Sequence, residues 1–565
     1  MPAPPPGPLT SAAVHELRSA LSRYGPGLAS SRRAVLAAAR RRGFADARAL
    51  LDYHDLMLFL RAHPATRSEY ATAGRELERV AGALREASRS PRGADRRALE
   101  QSGVAWAPVR AAFGLAIARW LVARHPGAAR LESIDDEPVP LAEALAGTLP
   151  PLQAEIAAGG HLDGNGIVDA FAGPGDRLAW LVRAFDAIPA PEAVREQLYE
   201  SVGAWVTLAP GATALSRTFL RGPEEAPFLV DRLKRDVDLA AAIAVPLPRA
   251  RPLPLRERDA IVDASRGTLA ALGRETDAIA TTTARDTEVH RLGRGLAIAL
   301  HAPAAPRRGP LDAHVGFVLF RNGVPVAYGG GWPFAGACRI GVNVFPAFRG
   351  GESAWLFAQV LRAYRQRFRV ARFIVEPSQY GQDSREGLES GAFWFYWRLG
   401  FRPVVPRILA LAQREAARIA AERGYRAPIA VLRRFTASDL ALDVEPGATA
   451  PDPGDLAERA SEWLVAHGRG DVAKAERAAL EQAGRLLGRR APARDAGHRV
   501  WRAWAPLLAQ CPSIASWPRA ARAAVAAILR AKARDEFAFQ RSLAAHARLR
   551  AALAALARAR PPGRV

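Results

Sequence analysis

The chain has 565 residues, of which 49% are hydrophobic and 24% are charged, and its formal net charge is +23. This length exceeds one compact domain and predicts three or four folded units, while the apolar share excludes wholesale disorder. Only three of its 79 basic residues are lysines, so we attribute part of the positive charge to the coding bias of a GC-rich genome rather than to a selected partner.

The cysteines and the hydropathy pattern indicate the compartment. Cys338 and Cys511 lie far apart in the sequence and exclude a disulfide framework or a four-thiolate metal site. No His or Cys spacing indicates zinc, so we expect no metal. No apolar run is long enough to cross a membrane, and the proline-rich N-terminus lacks the layout of a signal peptide. The sequence therefore predicts a reduced, cytoplasmic protein with no membrane partner.

Helical periodicity fills the first 250 residues. Apolar residues recur three and four positions apart, and turns that contain Gly and Pro interrupt these runs. The pattern predicts one helical region over 1–125 and a second over 126–250. A proline-dense connector from Pro246 to Pro254 marks the next domain boundary.

The third region, 251–446, has a mixed α/β pattern. An Asn-Gly turn at residues 322–323 joins two extended runs, which predicts a β-hairpin over His314 to Tyr328. A further strand, Cys338 to Phe345, precedes an amphipathic helix whose apolar positions run from Phe357 to Phe368. This region therefore begins with antiparallel strands.

The same region closes with another strand and more helices. Arg372 to Val375 is typical of a short buried strand and Gly391 to Leu399 of an aromatic helix, so a parallel crossover follows the antiparallel start. A helix from Leu409 to Arg423 then leads to a last extended run, Pro428 to Phe435. Beyond a linker rich in Pro, Gly and Asp, the pattern predicts a basic helical region over 455–565.

A turn of small residues separates the Cys338 to Phe345 strand from the helix that follows it. Residues Arg349 to Ala354 include Gly350 and Gly351. The N–H groups at the start of a helix point outward, where the helix dipole adds positive potential. The turn is therefore a candidate pyrophosphate site, to which Arg349 adds charge, although glycine at such a turn is more often structural.

Two segments together resemble the Gcn5-related N-acetyltransferase family. In the turn, Arg349 and Ala354 match the ends of the family's Arg/Gln-x-x-Gly-x-Gly/Ala motif. The second segment, from Phe395 to Phe401, matches the family's Phe-Tyr-x-x-Leu-Gly-Phe sequence. The resemblance covers about Arg256 to Val444. It implies an α/β (α+β) architecture, with a central mixed-sheet, acyl-CoA N-acyltransferase-like domain between all-helical flanks. It also implies acetyl-CoA or another acyl-CoA as co-substrate.

The resemblance implies site residues as well. The acyl-CoA would lie on the cofactor-binding residues Val342, Val344, Arg349, Gly350, Gly351, Ser353 and Ala354. Tyr396 would protonate the departing thiolate. Glu376, at the end of its strand, is the candidate base. Candidate contacts for the amine acceptor, which the sequence does not identify, are Asn343, Gln379 and Tyr380.

Two other functions stay open. The central Gly position of the turn motif is Glu352, whose charge would repel a pyrophosphate unless the side chain points away or is paired. One alternative is therefore a catalytically degenerate domain kept as a binding or scaffold module. The other is a transferase of the same fold that takes its acyl group from aminoacyl-tRNA. Residues 485–565 carry 17 basic and 3 acidic side chains, which predicts weak contact of these basic helices with nucleic acid or an acidic partner.

Overall fold

The computed structural model describes residues 7–88, 96–223, 226–250, 252–447, 450–492 and 495–559. The proline-rich residues 1–6 and the last residues, 560–565, lie outside the described residues.

The α-helices, numbered in chain order, are α1 Ser11–Leu21, α2 Leu28–Ala39, α3 Ala47–Ala62, α4 Arg67–Ser88, α5 Arg96–Leu99, α6 Leu115–Arg124, α7 Leu141–Leu145, α8 Pro151–Ala158, α9 Gly164–Ala172, α10 Arg177–Asp186, α11 Glu192–Ser201, α12 Leu239–Ala244, α13 Leu255–Ala270, α14 Asp277–Thr281, α15 Ser353–Phe368, α16 Arg385–Glu389, α17 Ala392–Arg398, α18 Pro406–Ala421, α19 Ile429–Phe435, α20 Pro453–Gly468, α21 Val472–Leu487, α22 Ala496–Ala509, α23 Arg519–Arg534, α24 Glu536–Ala545 and α25 Ala547–Arg558. The strands are β1 Val109–Ala111, β2 Ala129–Ile134, β3 Ala204–Leu208, β4 Thr287–Gly293, β5 Leu296–His301, β6 Val315–Arg321, β7 Val324–Phe334, β8 Ala337–Val344, β9 Arg372–Val375, β10 Arg402–Pro403 and β11 Leu440–Asp443.

An eight-stranded mixed sheet forms the centre of the molecule, in the order β10-β11-β9-β8-β7-β6-β5-β4. Strands β4 to β8 form an antiparallel meander, and β9 lies parallel to β8 after the crossover through α15. Strand β11 inserts antiparallel between β9 and β10. The mixed α/β class, the hairpin at Asn322-Gly323 and the parallel crossover are confirmed.

Helix α15 covers one face of this sheet. Its apolar stripe, Phe357, Leu361, Tyr364 and Phe368, is fully buried. The Tyr364 hydroxyl donates to the main-chain carbonyl of Val315 on β6. Side chains on this stripe recur every three or four residues, so one helix face seals the sheet while the other meets the surrounding chain.

A small sheet that the sequence analysis did not predict spans the boundary between the two N-terminal regions, 1–125 and 126–250. Strands β1, β3 and β2 form a three-stranded antiparallel sheet with its own core. Along β2, Ala129 and Leu131 are buried while Arg130 and Glu132 are exposed, which is the two-residue period of a half-buried strand. The prediction of all-helical regions is therefore wrong for β1 in 1–125 and for β2 and β3 in 126–250.

Two further elements of the central region differ from the prediction. The run Pro428 to Phe435, predicted to be extended, forms helix α19, whose Leu432 and Phe435 are buried three positions apart. The last strand is β11 instead. Strands β4 and β5 were not predicted, although β5 is buried at every position.

The helical prediction for the C-terminal region is confirmed by α20 to α25. These helices enclose a core around Trp504 and Phe539, which also includes Phe334, the last residue of β7, and Ala335 in the turn that follows. Within the described ranges, no helix has both the length and the apolar character needed to cross a membrane.

Candidate functional site

Strands β8 and β9 separate in the middle of the sheet. They pair only over Ala337–Arg339 and Arg372–Ile374. Strand β8 continues to Val344 while paired with β7 on its other side. Main-chain groups that a full ladder would occupy therefore remain available along residues 340–344. Val342 and Val344 lie on this edge and are half-buried, and the Val344 carbonyl accepts a hydrogen bond from Arg349 Nε at 3.1 Å.

The turn after β8 presents an open helix N-terminus. Gly350 is exposed, has a φ of +74°, and would have no atom within 4 Å of an added Cβ. Gly351, Ser353 and Ala354 are half-buried. The N–H groups of residues 350–354 have no acceptor in the described part of the chain. Orphan N–H groups at a 16-residue helix are the donors that an anion needs.

The N-terminal helices border this turn. Arg18 of α1 donates from Nη2 to the Ala347 carbonyl at 2.6 Å. The ring of Phe59, on α3, lies 3.9 Å from the position of a Cβ at Gly351. The turn is thus held from one side while Gly350 stays exposed to solvent.

Glu352 is turned into the protein interior. Its side chain is 1% exposed and forms an ion pair with the fully buried Arg321 at the end of β6. Its Oε1 accepts from the Lys234 main-chain N–H at 2.7 Å, and its Oε2 lies 3.2 Å from His63 Nε2. Strand β6 lies beyond β7, on the side of β8 opposite to β9, so the carboxylate that pairs with Arg321 points away from the gap between β8 and β9. Its charge is also neutralised by Arg321.

The charge states of this buried group follow from burial and pairing. Burial alone would raise the pKa of Glu352, but the hydrogen bond from His63 and the charge of Arg321 outweigh it and lower the pKa. Burial, reinforced by the charge of Arg321, lowers the pKa of His63 to about 4. At neutral pH the group therefore contains an ionised Glu352, a charged Arg321 and a neutral His63.

Tyr396 lies in a buried aromatic cluster beside α15. Its ring packs edge-on against Phe357 at 5.7 Å and Phe401 at 5.8 Å between centroids. Its hydroxyl has no hydrogen-bond partner among the described residues. Burial raises the pKa of Tyr396, so the phenol stays protonated and is able to donate a proton.

Glu376 lies at the rim, 47% exposed, where its Oε1 forms an ion pair with Arg339 Nε at 3.1 Å. Arg339 also pairs with Asp452 of the following linker at 2.6 Å. Glu376, the predicted base, therefore also belongs to a network of ion pairs with Arg339 and Asp452.

A row of glycines crosses the sheet on the face opposite α15. Gly316 of β6 pairs with Gly330 of β7, which pairs with Gly341 of β8. Gly331, the neighbour of Gly330, faces Tyr364 of α15, and since alternate residues of a strand face opposite sides, the row faces away from α15. Glycine inside a strand commonly marks a close approach of other groups.

Two polar side chains occupy this glycine row. A Cβ at Gly330 would lie 2.0 Å from His314 Nε2, and one at Gly341 would lie 2.4 Å from Gln379 Oε1. The imidazole of His314 stacks on the indole of Trp332 with centroids 4.2 Å apart. Burial lowers the pKa of His314 to about 4, so the ring is neutral and its unprotonated nitrogen is able to accept a hydrogen bond. His314 and Gln379 therefore lie side by side where β9 separates from β8.

The acceptor residues that the sequence analysis named are only partly brought together. Gln379 lies at the gap, as described. Asn343 is exposed on β8, opposite Tyr328 of β7. The Tyr380 hydroxyl donates to the Ser438 carbonyl. This hydrogen bond gives Tyr380 a structural role, since its hydroxyl is already used within the chain.

Sequence analysis missed His314 and Trp332. The available signal was the run Gly329-Gly330-Gly331 directly after the predicted hairpin, because three consecutive glycines that continue an extended segment indicate a close approach of other groups. In the described residues, no group of three or more His, Cys, Asp or Glu side chains is arranged to hold a metal ion.

In comparisons with known proteins, no family model, no curated protein and no solved structure matches this chain.

Proposed function

We propose that the protein is an acyl-CoA-dependent N-acyltransferase whose central domain has the acyl-CoA N-acyltransferase fold. The observation that carries this proposal is the course of β8, which leaves β9 after Arg339 and enters an open, glycine-containing turn at the start of α15. The strand order β9-β11-β10 beside this gap supports the same fold. The inward direction of Glu352 removes the electrostatic objection to a bound pyrophosphate.

The donor site in this proposal uses main-chain groups. The pyrophosphate of the acyl-CoA accepts hydrogen bonds from the N–H groups of residues 350–354, with Arg349 beside them. The pantetheine arm then follows the free edge of β8 past Val344 and Val342. The thioester lies in the gap between β8 and β9, where free main-chain donors stabilise the oxyanion.

The reaction in this proposal is a direct transfer. The acceptor amine attacks the thioester carbonyl carbon from the side of the glycine row, the new C–N bond forms and the C–S bond breaks. Tyr396 gives its proton to the departing thiolate. The proton released by the amine passes to His314, which is neutral and unpaired among the described residues, or to Glu376, which Arg339 already holds.

Acetyl-CoA should raise the stability of the full chain. A ligand at a hundred times its Kd adds about 2.7 kcal/mol to the free energy of unfolding, which thermal denaturation with and without acetyl-CoA measures. Longer acyl-CoAs extend the series. If neither acetyl-CoA nor any longer acyl-CoA shifts the transition, the proposal is wrong. A shift with aminoacyl-tRNA alone would instead support the tRNA-dependent alternative.

Removal of either proton-transfer group should lower turnover without weakening donor binding. Tyr396→Phe and His314→Gln should each reduce kcat about 100-fold or more, since positioned acids and bases contribute roughly 10²–10⁴. Release of the free thiol of CoA reports kcat, and calorimetry reports the acetyl-CoA Kd. Tyr199→Phe is the matched control, because Tyr199 is also buried with a hydroxyl that has no partner among the described residues, but lies in the small-sheet flank. Full turnover in either test variant removes that residue from the mechanism.

A further inference from the structure

A groove of about 620 Å³ lies between α17, α18 and the segment that leads into α19. Its volume is within the range of small-molecule pockets, which span about 300–1,000 Å³. The apolar side chains that line it are Trp394, Trp397, Ala416, Ile419, Ala420, Ala427, Ile429 and Leu432. None of the residues assigned above to the donor or acceptor sites contributes to this lining.

The groove is open because the apolar face of α18 extends beyond its cover. Ile408, Leu411 and Ala412 of this helix are buried against the domain. About two turns after Ala412, Ile419 continues the same face but is 38% exposed. A hydrophobic side chain at this position of an amphipathic helix is normally covered, so the last turn of α18 presents an apolar wall without an occupant.

The rim of the groove is positively charged. Arg398 and Arg426 are both exposed there, and neither has an ion-pair partner in the described part of the chain. The one carboxylate in the lining, Glu389, is paired with Arg385 at 2.8 Å. An apolar interior with two free guanidinium groups at its edge fits a molecule that is a hydrocarbon chain at one end and an anion at the other.

We propose that this groove binds a single fatty acid. Its alkyl chain lies against Trp394, Trp397 and Ile419, and its carboxylate lies between Arg398 and Arg426. A peptide helix is a poorer match, because the cavity has the size of a small molecule. This inference stands independently of the proposed acyl transfer, since its test uses no CoA.

A chain-length series tests the proposal. Calorimetric titration of the full chain with saturated carboxylates, each below its critical micelle concentration, should show one saturable site. Affinity should increase about fourfold for each added methylene until the groove is filled, because burial of one methylene contributes about 0.8 kcal/mol. An alkyl trimethylammonium of equal chain length should bind at least tenfold more weakly. Absence of saturable binding, no dependence on chain length, or equal binding of the cation overturns the proposal.

Surface variants distinguish this groove from other apolar sites. The double variant Arg398→Glu/Arg426→Glu and the single variant Ile419→Asp should each weaken carboxylate binding at least tenfold. All three positions are exposed, so the fold should persist, which far-ultraviolet circular dichroism checks. Arg414→Glu, on an exposed part of α18 outside the lining, and Val465→Asp, at a 70% exposed apolar position, are the matched controls. Unchanged affinity in both test variants places the bound carboxylate elsewhere and refutes the assignment.

Discussion

Replacement of Glu352 by Gln should lower the free energy of unfolding by about 3–5 kcal/mol, which is the usual cost of removing one partner from a buried ion pair. Arg321 is fully buried, and its Nε and Nη2 already have no hydrogen-bond partner among the described residues. Without the carboxylate, its charge would remain buried and uncompensated. Urea denaturation of the variant and the parent chain measures the difference.

Two further variants give this experiment its control and its rescue. Glu376→Gln removes a half-exposed carboxylate that also pairs with an arginine, and should cost no more than about 1 kcal/mol. The double variant Arg321→Met/Glu352→Leu removes both charges and should recover much of the loss, because an apolar pair needs no compensation. A loss below about 1 kcal/mol for Glu352→Gln would contradict the role assigned to this pair.

The pair also predicts a pH dependence with a definite sign. The pKa of Glu352 is lowered in the folded state by His63 and Arg321 against the effect of burial. Its contribution to stability is therefore fully present above the pKa of the unfolded carboxyl group, and is lost as the pH falls through the lower, folded pKa. The parent chain should lose stability through this acid range, while Glu352→Gln should lack this part of the dependence.

Local patterns were sufficient to predict much of the central sheet. The Asn-Gly turn forms the β6–β7 hairpin, and the stripe from Phe357 to Phe368 forms α15. The prediction failed where short apolar runs have no distinct period. Ile429–Phe435 contains β-branched residues that favour a strand, yet Pro428 starts a helix there because Leu432 and Phe435 reach the core from one face.

The candidate site depended on contacts between distant parts of the chain, which no local pattern contains. Glu352 is 31 residues from Arg321 and 289 from His63 in the sequence, so its inward direction could not be read from the turn motif. The position of His314 over Gly330 likewise depends on strand pairing. By contrast, the open turn at Gly350 and the aromatic setting of Tyr396 follow from neighbours in the sequence, and both were anticipated.

A carboxylate placed in the turn itself should abolish donor binding. Gly350→Asp introduces a negative charge where the proposal places the pyrophosphate, and no other atom lies within 4 Å of the new Cβ. At about 5 Å and an effective dielectric constant near 20, two unit charges repel by about 3 kcal/mol, which is more than a 100-fold loss of affinity. Calorimetric titration with acetyl-CoA measures this loss directly.

Two controls separate charge from backbone strain in that measurement. Gly127 has the same φ of +74° as Gly350, is exposed, and would also have no atom within 4 Å of a Cβ. Gly127→Asp therefore introduces the same backbone strain and the same charge at a position far from the turn in sequence. This variant should leave the acetyl-CoA Kd unchanged. Gly350→Ala imposes the strain without the charge, so its effect should be much smaller than that of Gly350→Asp. An uncompensated carboxylate in this turn should weaken the binding of a diphosphate there to a measurable extent. If Gly350→Asp binds acetyl-CoA as tightly as the parent chain does, the main-chain amides after Phe348 therefore do not hold the pyrophosphate.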